Sequence, residues 1–321
     1  MDDNTAEKQK KQEITFENSL KSQDTEEWWD IHFNSPIGFF WAKCAMVLHI
    51  TPNMITIASI FIGAFGGFLF YYNNLKLNII GMLLLTLANT FDSADGQLAR
   101  LTNNKTQLGR ILDGLAGDVW FIVIYIVICV RLVHFNHFNA WGVWSFGVLA
   151  GASHILAASM ADYYRNVHLR LIKGKKGSEH DNSQDIEKQF SETKFKEKPF
   201  QKISLWFYKN YTKQQEKLSP KLQQFKNHLN EKFGDNIPEG LLLKIGQENK
   251  KYMPLTNILQ FNIRVMFLFF SLLINKVWLY FVFDVVVMNL ILSYLIIKEE
   301  QLFYFYDKYI RENNINNDKS K

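Results

Sequence analysis

Six apolar runs punctuate this chain, separated by polar stretches of very unequal length. Residues 54–72 follow Thr51-Pro52-Asn53, a helix start signal, and are long enough to cross a hydrocarbon core of about 30 Å. Asn73-Asn74-Leu75-Lys76 turns the chain, and residues 77–90 run back. Residues 111–133 and 141–161 give a third and a fourth span, with the loop His134-Phe135-Asn136-His137 between them. Residues 257–274 and 277–297 give the last two, joined by a tight turn at Asn275-Lys276. The pattern predicts an all-α integral membrane protein with six transmembrane helices.

The polar stretches divide the chain further. Residues 1–27 read as a polar cytosolic tail, mobile or loosely helical. Residues 28–50 mix Trp28, Trp29, Phe33, Phe39, Phe40 and Trp41 with Asp30, His32 and Lys43, too polar to span. That mixture predicts a juxtamembrane helix lying in the interface with its indoles at headgroup depth. Residues 51–165 hold the first four spans. Residues 166–255 form a Lys-rich cytosolic insertion in which 200–233 shows apolar positions at helical spacing, broken at Ser219-Pro220. Its basic character suits either docking on anionic headgroups or a solvated cap, and 234–254 reads as a turn-rich connector. Residues 256–298 hold the last two spans, and 299–321 read as a polar cytosolic tail.

Composition fits this layout. The chain has 321 residues, 48% of them hydrophobic and 15% aromatic, yet its mean hydropathy is only −0.11, as apolar spans diluted by a long polar segment require. The two cysteines, Cys44 and Cys129, lie far apart in apolar surroundings, which argues against a disulfide framework or a zinc site. The first residues lack an apolar stretch and do not read as a cleaved signal. Net charge is +5, and its placement matters more. With the loop after residue 101 in the cytosol, Arg100, Lys105, Arg110 and the whole insertion fall inside, as the positive-inside rule asks.

One stretch breaks the apolar pattern with acids. Asp92 and Asp95 stand three apart at the end of the second run, on one helix face. Gly96 and Ala99 leave that face free of bulk, and Arg100 follows. After a short polar connector, Gly109 and Asp113 open the next helix, with Asp118 behind them. Carboxylates converging from two neighbouring helix ends make an all-oxygen site of high charge, which hard cations such as Mg²⁺ or Mn²⁺ prefer. Solvated helix caps would account for Asp92 or Asp95 singly, but not for the whole set at this spacing. Two further charges lie inside apolar runs, Arg264 and Asp284. They form either a mutual ion pair, or Arg264 serves as a fork for an anionic substrate group.

The pattern Asp-x2-Asp-Gly-x2-Ala-Arg-x8-Gly-x3-Asp-x3-Asp resembles the signature of the CDP-alcohol phosphotransferases, membrane enzymes of phospholipid synthesis. Asp92, Asp95, Gly96, Ala99, Arg100, Gly109 and Asp113 match it. The final position carries Gly117, and the carboxylate comes one residue later, at Asp118. Position 117 lies about 40° round a regular helix from 113, and 118 about 140°. A π-bulge between Asp113 and Asp118 would turn Asp118 back, and that bulge is the expectation here.

The resemblance implies attack of an acceptor hydroxyl on the β-phosphorus of a CDP-alcohol such as CDP-diacylglycerol, with CMP released. It implies two divalent ions held by Asp92, Asp95, Asp113 and Asp118, with Asp118 also the general base. Gly96, Ala99, Arg100 and Gly109 would hold the CDP moiety. Arg264 and Arg165 are candidates for an anionic acceptor, which makes a phosphorylated or polyol alcohol the favoured substrate. Six spans match the family, and a homodimer is implied. The partners are thus a CDP-alcohol lipid, a small alcohol and membrane lipids; no nucleic-acid partner is expected. Lys-, Asn- and Phe-rich usage favours a bacterial inner membrane, with the site facing the cytosol. Two competing readings remain: a catalytically degenerate member serving as a lipid-binding scaffold, and a transporter using intramembrane charges.

Overall fold

The computed structural model describes residues 15–19, 28–104, 107–174, 183–195, 198–234 and 237–312. Nearly all of the tail expected over 1–27 lies outside them. Among the described residues there are helices and turns and no strand, and six helical stretches are long and apolar enough to cross a membrane. The chain divides into two compact units, residues 1–131 and 132–321.

The first unit holds α1 (Phe16–Ser19), a π-helical turn (Asp30–Asn34), α2 (Ser35–Val47), α3 (Pro52–Phe68), α4 (Leu75–Leu101) and most of α5 (Gln107–Asn136). Pro52 starts α3 where its missing N–H costs nothing. Asn74 caps α4, its side chain accepting from the N–H groups of Lys76 at 3.0 Å and Leu77 at 3.3 Å. Small residues set how closely α3 and α4 approach. A Cβ on Gly66 would stand 2.9 Å from the Gly81 carbonyl, and one on Gly81 2.6 Å from that of Gly66, so the two backbones touch only because both are glycine. At the far end Arg131 is buried and donates to the Phe70 carbonyl at 2.8 Å and to Asn78 and Asn73 at 3.3 Å each. A charge inside an apolar unit survives by such saturation with acceptors.

The second unit holds α6 (Ala140–Lys173), α7 (Ser183–Glu192), α8 (Pro199–Leu218), α9 (Pro220–Phe233), α10 (Glu239–Asn249), α11 (Met253–Ile258), α12 (Phe261–Leu273), α13 (Trp278–Val282), a π-helical turn (Phe283–Met288) and α14 (Asn289–Glu312). Three sequence expectations need correction. The helix of the fourth span does not stop with the span at 161: α6 continues to Lys173, with Val167, Leu169 and Leu171 buried. The stretch 234–254 is largely helical, since Leu241, Leu242 and Ile245 recur at helical spacing and pack against the core. The polar tail from 299 is instead a continuation of α14 to Glu312, because Leu302, Phe303, Tyr306 and Ile310 form a buried stripe facing α9. Glu300 of that extension accepts the first N–H groups of α9, Lys221 at 2.7 Å and Leu222 at 3.2 Å, a cap supplied from another helix.

The intramembrane charges resolve as an ion pair. Arg264 Nη1 meets Asp284 Oδ1, both side chains fully buried, and Arg264 Nε donates to the Leu259 carbonyl at 3.2 Å. Asp284 sits in the π-helical turn.

Candidate active site

The motif acids lie where α4 ends and α5 begins. Asp92 and Asp95 share one face of α4. Asp95 is 3% exposed, Asp92 half-buried. The Thr56 hydroxyl of α3 hydrogen-bonds Asp95 Oδ2 and stands 3.1 Å from the Pro52 carbonyl, which fixes the carboxylate against its neighbouring helix. Carboxylates with a hydroxyl behind them form an all-oxygen set that suits Mg²⁺ or Mn²⁺. Among the described residues no three Asp, Glu, His or Cys side chains come together as a metal site; the expected third ligand, Asp113, lies on α5 with its side chain outside the described ones.

The residues expected to hold the CDP moiety lie at the end of α4 and the start of α5. The Arg100 guanidinium lies back over Gly96, where an added Cβ would come 3.3 Å from Nη1, and Arg100 Nε donates to the Ser19 carbonyl at 2.5 Å. Ala99 is half-buried, and so is Gly109 in the first turn of α5. Helix α2 crosses α4 at this level. A Cβ on Gly38 would strike Ser93 Oγ at 2.8 Å, and Gln97 Nε2 donates to the Ser35 carbonyl at 2.9 Å. Helix α2 therefore braces the motif helix, and Trp28, Phe33 and Phe40 of this N-terminal segment are exposed.

The expected π-bulge is absent. Helix α5 is α-helical from Gln107 to Asn136, and its rotation is fixed by Trp120. That indole is buried, donates to the Ser59 carbonyl at 3.0 Å, and occupies space that a side chain on Gly63 would fill at 2.4 Å. Ala116, Trp120, Ile124 and Ile128 make one buried stripe. Asp118 stands two residues from both Ala116 and Trp120, about 200° round the helix, and is exposed. The glycines at 114 and 117 permit a bulge, but the i, i+4 stripe keeps the helix regular. Of the two arginines proposed for the acceptor, Arg264 is engaged by Asp284 and fully buried, and Arg165 is half-buried 3.5 Å from Asp162.

Thr56, Ser59 and Trp120 escaped the sequence reading. A signal was present: Thr56 and Ser59 are two small polar residues three apart within an apolar run, the spacing of one inward face.

Residues 49–175, which hold the whole motif, match the model of the CDP-alcohol phosphatidyltransferase family. Through this segment, about two fifths of the chain, the protein is similar to that family. Among curated relatives, an uncharacterized protein of Aquifex aeolicus is 43% identical over 65 residues, 20% of this chain and 32% of that one. A CDP-diacylglycerol–glycerol-3-phosphate 3-phosphatidyltransferase of Rickettsia typhi is 40% identical over 68 residues, 21% and 38% of the two chains. A CDP-diacylglycerol–serine O-phosphatidyltransferase of Helicobacter pylori is 32% identical over 122 residues, 36% and 50%. The chain thus spans about a third to a half of the length of the relatives it matches.

Proposed function

We propose that this protein transfers a phosphatidyl-type group from a CDP-alcohol, CDP-diacylglycerol above all, to the hydroxyl of a small alcohol, releasing CMP. The observation that carries this reading is the seven-position motif laid across the end of α4 and the start of α5, with Asp95 buried and braced by Thr56. Asp92, Asp95 and Asp113 would hold Mg²⁺ or Mn²⁺, whose charge would offset that of the substrate pyrophosphate. Gly96 leaves room for the nucleotide to approach the backbone, and Arg100 supplies a guanidinium for its phosphates. The acceptor hydroxyl attacks the β-phosphorus, the bond to the CMP oxygen breaks, and the acceptor proton leaves to a base. With α5 regular and Asp118 about 140° round it from Asp113, this reading assigns that proton to a base other than Asp118.

The reading sets the site at the cytosolic side of a bacterial inner membrane and the protein as a homodimer. Arg264, held by Asp284, gives no ground for an anionic acceptor, and the names of the relatives cover both glycerol 3-phosphate and serine. The test is product analysis: purified protein with CDP-diacylglycerol and Mn²⁺, given glycerol 3-phosphate, inositol phosphate, inositol or serine, with the lipid product identified by mass spectrometry. One acceptor-dependent lipid product is expected. No product with any acceptor would sink the reading. The position of Asp118 favours one alternative, a member that binds the CDP-lipid without turnover; substrate-dependent thermal stabilisation with no CMP released would establish it.

A further inference from the structure

The transferase reading leaves the outer face of α8 without a role. With Ile203 as origin and 100° per residue, Trp206 and Phe207 lie within about 60° to either side. These three side chains are 45%, 50% and 63% exposed. Leu205 and Thr212, about 180° round, are buried. Lone exposed apolar residues are ordinary, but a stripe of them on one helix marks a surface that something covers.

Two observations say what covers it. The first is depth. Gln215 Nε2 donates to the Ser159 carbonyl at 2.9 Å, and Tyr164 Oη lies 3.1 Å from Ser219 Oγ. These contacts hold the end of α8 against the end of the apolar run 141–161 of α6, where Asp162 and Arg165 bring charge into the sequence. The second is charge. Lys194 and Lys198 are exposed ahead of α8, and Lys217 at its end. On one flank Lys209 and Lys213 share the single carboxylate of Glu187, which leaves that flank cationic. Aromatic and aliphatic side chains bordered by lysines at the depth of the headgroups match a bilayer surface with anionic lipid.

We propose that α8 is an in-plane membrane anchor, seating Ile203, Trp206 and Phe207 at the headgroup–acyl boundary of the leaflet where α6 ends, with anionic headgroups on its lysines. This does not depend on the transferase reading. The test uses the full chain in vesicles of phosphatidylcholine and phosphatidylglycerol, as wild type and as Trp206→Phe, a substitution that keeps an aromatic ring. The difference between their emission spectra isolates Trp206 among the 8 tryptophans. Lipid brominated near the top of its acyl chains should remove about half or more of that difference signal, and aqueous iodide should leave it unchanged. Omitting phosphatidylglycerol should weaken the bromolipid effect. Quenching by iodide but not bromolipid would mean a solvated face. Quenching by neither would mean a second copy or another protein covers it. Either result overturns the proposal, and bromolipid quenching indifferent to phosphatidylglycerol would overturn its headgroup part.

Discussion

Gly117→Asp tests how α5 presents its acids. Position 117 lies about 40° round and about 6 Å along the helix from Asp113, whereas Asp118 lies about 140° round. A Cβ at Gly117 has no neighbour within 4 Å, so the substitution carries no steric cost, and leaving an interior glycine gains a few tenths of a kcal/mol in helix propensity. The new carboxylate sits about 6 Å from the Asp113 position. At an effective dielectric of 20 that repulsion is about 2–3 kcal/mol without metal, so the metal-free variant should melt lower and bind Mn²⁺ more tightly. If the new group also takes the acceptor proton, CMP release should rise by about 10²–10⁴-fold. The assay is initial-rate CMP release in detergent across a Mn²⁺ series, with Asp118→Asn beside it; that variant should stay within a few-fold of wild type. An unchanged rate and metal affinity for Gly117→Asp, together with loss of activity in Asp118→Asn, would refute the helix argument and return the base to Asp118.

Three further outcomes are expected. Thr56→Val removes the hydroxyl on Asp95 and should weaken Mn²⁺ binding by about 10–100-fold, with Thr56→Ser close to wild type; equal affinity in both variants would show that Asp95 needs no brace. Asp284→Asn leaves Arg264 buried without its counter-charge and should cost about 3–5 kcal/mol, while the double change to apolar residues should be near neutral; a thermal-unfolding double-mutant cycle decides this. Lys226 of α9 is pushed down from 10.5 to about 7, first by burial and then by the Arg170 charge, with Glu216 opposing. Between those two values the unfolded chain holds the proton that the folded one has lost, so stability should rise with pH from about 7 towards 10. Lys226→Met should flatten that rise in melting curves, and an unaltered profile would remove Lys226 from the account.

The six spans were legible because length and apolarity alone decide them. The motif was legible because its spacing is rigid, and the break at Ser219 because Pro220 cannot continue a helix. The extensions were not. The residues of α14 beyond Lys298 alternate charge with aromatic groups, and only contact with α9 shows that Leu302, Phe303, Tyr306 and Ile310 face inward. The supposed bulge failed for a similar reason. Gly114 and Gly117 made it permissible, but the packing of Trp120 on Gly63, which no local pattern announces, holds α5 straight. The Arg264–Asp284 pair was one of two readings of the same charges, and only a structure could choose between them.

The central claim is that Asp92 and Asp95 serve a metal-dependent transfer from a CDP-alcohol. Its most direct test is Mn²⁺- or Mg²⁺-dependent CMP release from CDP-diacylglycerol by wild type and by Asp95→Asn, each first shown to be folded by its melting transition. Acceptor- and metal-dependent release by wild type, lowered at least about 10²-fold in the variant, is the expected result. Release that is equal in both proteins, or that persists in excess chelator, would contradict it.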